Sequence, residues 1–66
     1  MLSLITYYVL VIGIVNGDKV TGTRQIQPFR TLAECKTYIP TYTHPEINQY
    51  AQCCVQVGSD KCYYKI

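Results

Sequence analysis

The sequence predicts an α+β domain: a small antiparallel three-stranded sheet in ββαβ order, a short fourth strand left open, with one short helix on one face. Three observations predict it. The uncharged run Tyr7-Tyr8-Val9-Leu10-Val11-Ile12-Gly13-Ile14-Val15 is β-branched and aromatic and stops at Asn16-Gly17, the strongest short-range hairpin signal. Thr31-Leu32-Ala33-Glu34 has the capping-box pattern that opens a helix. Cys53-Cys54-Val55-Gln56-Val57 returns to strand composition.

The chain's 66 residues hold a single small domain spanning residues 1–66. A core of that size supplies only ~3–5 kcal/mol of net stability, so a disulfide, a metal or a second subunit is expected to add to it. Hydrophobic residues make up 48% and charged residues 15%, which excludes intrinsic disorder. The net charge of +2 demands no polyanionic partner. Seven tyrosines against one Phe and no Trp give an amphipathic aromatic set suited to half-buried strands and to recognition surfaces.

The first element has two readings. Residues 1–17 carry no charge but fall short of the ~20 apolar residues a spanning helix needs, so no membrane span is expected. As a secretory signal they offer an apolar region from Leu2 to Val15 and small residues before Asp18, but no Lys or Arg precedes the apolar stretch. The strand reading is preferred because the run ends in a hairpin turn. The second strand, Lys19 to Gln27, is mostly polar and meets Pro28, the composition of an edge strand.

The helix follows from the Thr31 cap, with Leu32, Cys35 and Ile39 on one face. Pro40 is expected to end it, because proline disfavours helical geometry in the residue before it. Beyond Thr41, residues 45–57 fit a helix through Ile47, Tyr50, Ala51, Cys54 and Val55, and equally a strand through Ala51, Cys53, Val55 and Val57. Composition favours a turn and then a strand from about Tyr50 to Val57, closed by Gly58-Ser59-Asp60. Lys61 to Ile66 is where the short fourth strand would lie.

With two strands in a hairpin and a helical return, the first strand becomes the centre of the sheet. Both of its faces are apolar, and one short helix covers only one. A second subunit, a target protein or the chain's own tyrosines must cover the other. Tyr7, Tyr8, Val9, Leu10 and Val11 are therefore candidate partner-binding residues, with Tyr38, Tyr42 and Tyr50 around the loop as a second set. A homodimer or a protein target is the expected partner.

A hydrophobic first strand, the turn Val15-Asn16-Gly17-Asp18, Phe29 before a capped helix holding Cys35, and Cys54-Val55 in a last strand resemble the pattern of many short bacteriophage accessory proteins over residues 4–57. The resemblance implies a protein of the host bacterial cytoplasm that inhibits or modulates a host defence or gene-expression protein, with an anti-CRISPR-like role among the options. Cys53 and Cys62 depart from that outline.

Four cysteines allow three pairings. Cys35 and Cys53 are expected to point into one core. Cys54 points the other way, and a three-residue loop at residues 58–60 places Cys62 on its face as a diagonal neighbour. In a cytosolic setting Cys35 and Cys53 read equally well as buried free thiols.

No cofactor is expected. Zinc wants four converging ligands, whereas Cys53 and Cys54 are adjacent on a strand and His44 stands apart. His44 and Cys35 lack a third orienting residue, so the chain is not read as an enzyme. Lys19, Arg24, Arg30, Lys36, Lys61 and Lys65, with Tyr63 and Tyr64 for base stacking, form the nucleic-acid alternative, but no clustered basic stripe is visible. The other alternative is a secreted, disulfide-stabilised mini-protein left after removal of residues 1–17.

Overall fold

The computed structural model describes residues 6–58 and 61–65. The stretch 1–5, the expected turn residues Ser59 and Asp60, and Ile66 lie outside them. In order come β1 (Thr6–Asn16), β2 (Lys19–Phe29), α1 (Leu32–Thr37), α2 (Ile39–Tyr42), a 3₁₀ turn (Pro45–Ile47) and β3 (Gln49–Val57). The fold is α+β and mostly sheet: β1 lies between β2 and β3, antiparallel to both.

β1 and β2 meet in a two-residue turn of Gly17 and Asp18, with Asn16 paired to Lys19. The tight link therefore begins one residue later than Asn16-Gly17. Gly17 has φ +69° and Asp18 is not among the positive-φ residues, the sign pattern of a type II′ turn with glycine first. β2 runs on past Gln27 to Phe29 because the ladder slips twice, once between Ile14 and Val15 and once between Tyr8 and Leu10. The second slip sets Phe29 against Tyr8 and Ile26 against Leu10, leaving Pro28, which has no N–H to donate, in an unpaired position.

The helical return differs from the single helix expected. Thr31 caps α1 as foreseen, its Oγ1 accepting from the Glu34 N–H at 3.1 Å. The chain breaks at Tyr38 and restarts as α2, with Pro40 inside its first turn. Proline's missing N–H is unneeded there and its φ suits the start of a helix. The same residue that forbids α1 from continuing thus opens α2. Asn48, at φ 60°, ends the 3₁₀ turn and delivers the chain to β3; asparagine tolerates this left-handed geometry.

Strand alternation divides the sheet into two faces. Tyr8, Leu10, Ile12 and Ile14 share one with Gln49, Ala51, Cys53 and Val55, and α1 is tied to this helix face through a Cys35–Cys53 disulfide. Tyr7, Val9, Val11 and Gly13 share the other with Tyr50, Gln52, Cys54 and Gln56. There a Cys54–Cys62 disulfide holds residues 61–65 over the sheet. Adjacent cysteines on β3 therefore fasten a cover to each face of the central strand.

Residues 61–65 form no strand ladder. Side chains hold this tail instead. Gln25 donates to the Cys62 carbonyl at 2.9 Å, and Gln52 accepts from the Lys65 N–H at 2.9 Å while donating to the Lys65 carbonyl. Val9, Val11 and Cys62 form a buried cluster backed by Tyr7, Cys54 and Tyr64. Gly13 is needed for space, since a Cβ there would lie 2.7 Å from Tyr64 Cδ2.

Candidate interaction surface

The tail changes where a partner-binding surface can lie. The face of β1 expected to await a partner is closed by Cys62 and Tyr64 from the same chain, one of the covers weighed from the sequence. Val9, Leu10 and Val11 are buried, the last two completely, which removes them from any free surface of the folded chain. Tyr7 and Tyr8 are half-buried. The second set divides: Tyr38 and Tyr42 lie on the helix face, while Tyr50 pairs with Gly13 on the tail face.

Tyr64 sits above Gly13, near Tyr50. Burial raises the Tyr64 phenol above its ordinary value, and the nearby Tyr50 phenol raises it further. A neutral hydroxyl suits this site because desolvation disfavours the phenolate.

On the helix face, Tyr38 and Tyr42 line an open groove of about 350 Å³ together with Ile26, Pro28, Phe29 and Glu34. Its wall is built from three elements. The slip in β2 carries Phe29 to the sheet's end, where its ring stacks on Tyr38 with centroids 5.3 Å apart and planes 26° from parallel. Such a pair adds about 0.5–1.5 kcal/mol beyond area burial. The break between the helices leaves Tyr38 at their junction and 43% exposed. Gln49 donates to the Tyr42 carbonyl at 2.7 Å, fixing the end of α2 against β3. Glu34, the only charged residue of the lining, makes no ion pair among the described residues.

The sequence marks Tyr38 and Tyr42 as a candidate pair, whereas Phe29, Pro28, Ile26 and Glu34 join them only in the folded groove. A proline closing a polar strand just before an aromatic was the available signal, and reading it required knowing that β2 bulges.

The groove presents aromatic faces, two phenolic hydroxyls and one carboxylate. Cys35 is buried in a disulfide, so it cannot act as a nucleophile with His44. His44 instead lies 3.3 Å from Glu46 on the exposed surface, where such pairs contribute little. Among the described residues, no group of three or more His, Cys, Asp or Glu side chains is placed to hold a metal ion. No helix among them is long and apolar enough to cross a membrane. Set against protein-family models, curated proteins and solved structures, the chain matches none of them.

Proposed function

We propose that this chain is a protein-binding module that works by occupying a partner's surface through the Phe29/Tyr38/Tyr42 groove. The observation that carries the reading is the Phe29–Tyr38 stack, in which a half-buried Phe29 supports an exposed Tyr38, set on a sheet with disulfide-fastened covers on both faces. Rigid aromatics give large contact area at small entropic cost, and a braced scaffold limits the ordering lost on binding. The phage-like pattern makes the partner a host protein of defence or gene expression, inhibited or redirected by occupancy.

The test is affinity capture from bacterial lysate with wild-type protein, Tyr38→Ala and Tyr63→Ala, the last an exposed tyrosine outside the groove. One saturable protein partner, bound ~30-fold more weakly by Tyr38→Ala but not by Tyr63→Ala, is expected, since a hot-spot aromatic contributes ~2 kcal/mol or more. Capture of nucleic acid alone, with affinity falling steeply as salt rises, replaces this reading with the nucleic-acid one.

A second reading concerns the place of action. Pairing of all four cysteines favours an oxidising compartment over the bacterial cytoplasm. Removal of residues 1–17 does not fit the same picture, because Thr6–Asn16 is the central strand. Intact-mass and thiol-alkylation analysis of protein from its natural producer tests both points. A chain beginning at Asp18 would reject the fold described above, and free thiols would return the protein to a reducing compartment.

A further inference from the structure

We propose that β3 is a self-pairing edge, and that two copies of this chain join β3 to β3 antiparallel about a two-fold axis at Cys54, making one continuous sheet. Gln49 exchanges both backbone hydrogen bonds with His44, at 2.9 and 3.0 Å, on the side of β3 away from β1. Direction alternates along an antiparallel ladder, so the N–H and C=O groups of Ala51, Cys53, Val55 and Val57 face the same way. Among the described residues, none of these groups has a backbone partner. The sulfurs of Cys54 and Cys62 lie 3.4 and 3.7 Å from the Val55 carbonyl, but both belong to a disulfide and carry no proton to donate.

The two edges of the sheet differ in how they resist pairing. β2 carries Lys19, Arg24 and Pro28 and is interrupted by two slips, devices that discourage a further strand. β3 has no charge and no proline, and its register with β1 is unbroken from Gln49 to Val57. Val55 and Val57 are 54% and 37% exposed. A second copy is the occupant that fits, for reasons of charge and length. With the axis at Cys54, Ala51 of one protomer faces Val57 of its partner and Cys53 faces Val55, so all four outward positions are used. On the opposite face Gln52 meets Gln56. No like charges are opposed, and the paired segment fills the free length between the His44 bridge and Gly58.

Sedimentation velocity over ~10 μM to ~1 mM, a range set by the weak end expected of a small edge interface, measures the association. A concentration-dependent dimer is expected, with the amides of Ala51, Cys53, Val55 and Val57 exchanging more slowly as it forms while those of β2 do not. Val55→Lys places a charge on each protomer close to the axis and raises the dimer Kd by about tenfold or more. Thr21→Lys, on the other edge, leaves it unchanged. Circular dichroism checks that the variant folds, and Val57→Lys substitutes for it if it does not. A chain that stays monomeric throughout, a dimer indifferent to these lysines, or a dimer without the amide protection would overturn the proposal. A monomer whose β3 amides are protected only by an added extended peptide would also overturn it, assigning the edge to a foreign strand.

Discussion

Removing the Cys54–Cys62 disulfide tests the idea that the tail is a structural cover. The perturbation is Cys54→Ala with Cys62→Ala, which leaves no unpaired thiol. The bridge closes a short loop, with a sequence separation of 8, and the chain-entropy relation gives about 2.5 kcal/mol at 25 °C for its loss. The Cys35–Cys53 bridge, with a separation of 18, gives about 3.2 kcal/mol by the same relation. A chain of this length has a total stability of roughly 3–10 kcal/mol, so either loss removes a large share. In the first variant the tail retains the Gln25 and Gln52 hydrogen bonds, which compete poorly with water once the loop is free. Val9 and Val11 then become accessible beneath it.

The assay is thermal unfolding by circular dichroism, run beside binding of a hydrophobic dye. The expected midpoint shift is a fall of about 10–20 °C, accompanied by dye binding from the uncovered tail face. Removing Cys35 and Cys53 in the same way should lower the midpoint further, because its loop is longer. A Cys54→Ala/Cys62→Ala variant that melts with the wild type and binds no dye would refute the reasoning, showing that the tail face is closed by something other than this bridge.

Two further expectations concern the same cover. Gly13→Val puts a branched side chain where the Tyr64 ring lies; overpacking of this kind costs about 1–3 kcal/mol, and nuclear Overhauser contacts between the Tyr64 ring protons and residue 13 should disappear as the ring leaves the sheet. The second is a pH dependence. Since Tyr64 has a raised pKa in the fold, the folded chain holds its proton more tightly than the unfolded one. The resulting stability is fully present below the ordinary tyrosine value of about 10 and is lost as pH rises through the higher folded value. Denaturant midpoints from pH 8 to 11 should fall only at the alkaline end, with Tyr64→Phe removing that component; an identical alkaline decline in Tyr64→Phe would contradict the assignment.

Much of the architecture is legible in short-range patterns, because each is enforced by backbone geometry within a few residues. The unbroken β-branched and aromatic run Tyr7–Val15 determines a strand apolar on both sides, and glycine after Asn16 determines the turn. Thr31 three positions before Glu34 determines where α1 begins. Adjacent cysteines on a strand must point to opposite faces, so Cys53 and Cys54 could not serve the same side. Pro40 shows the limit of such reading: its geometry breaks a helix or starts one with equal ease, and the chain around it does both.

Local pattern alone is enough to place the central strand and give it two apolar faces. What covers those faces is set by contacts between distant parts of the chain. Gln25 reaches Cys62 across 37 positions, and Tyr64 settles over Gly13 from the far end of the chain. No local period records which distant segment arrives at a face, because that choice depends on where loops close and which bridges form. The same is true of the groove, where a slip in β2 turns Phe29 toward Tyr38. It is true as well of the outer edge of β3, where the backbone groups of Ala51, Cys53, Val55 and Val57 find no backbone partner among the described residues.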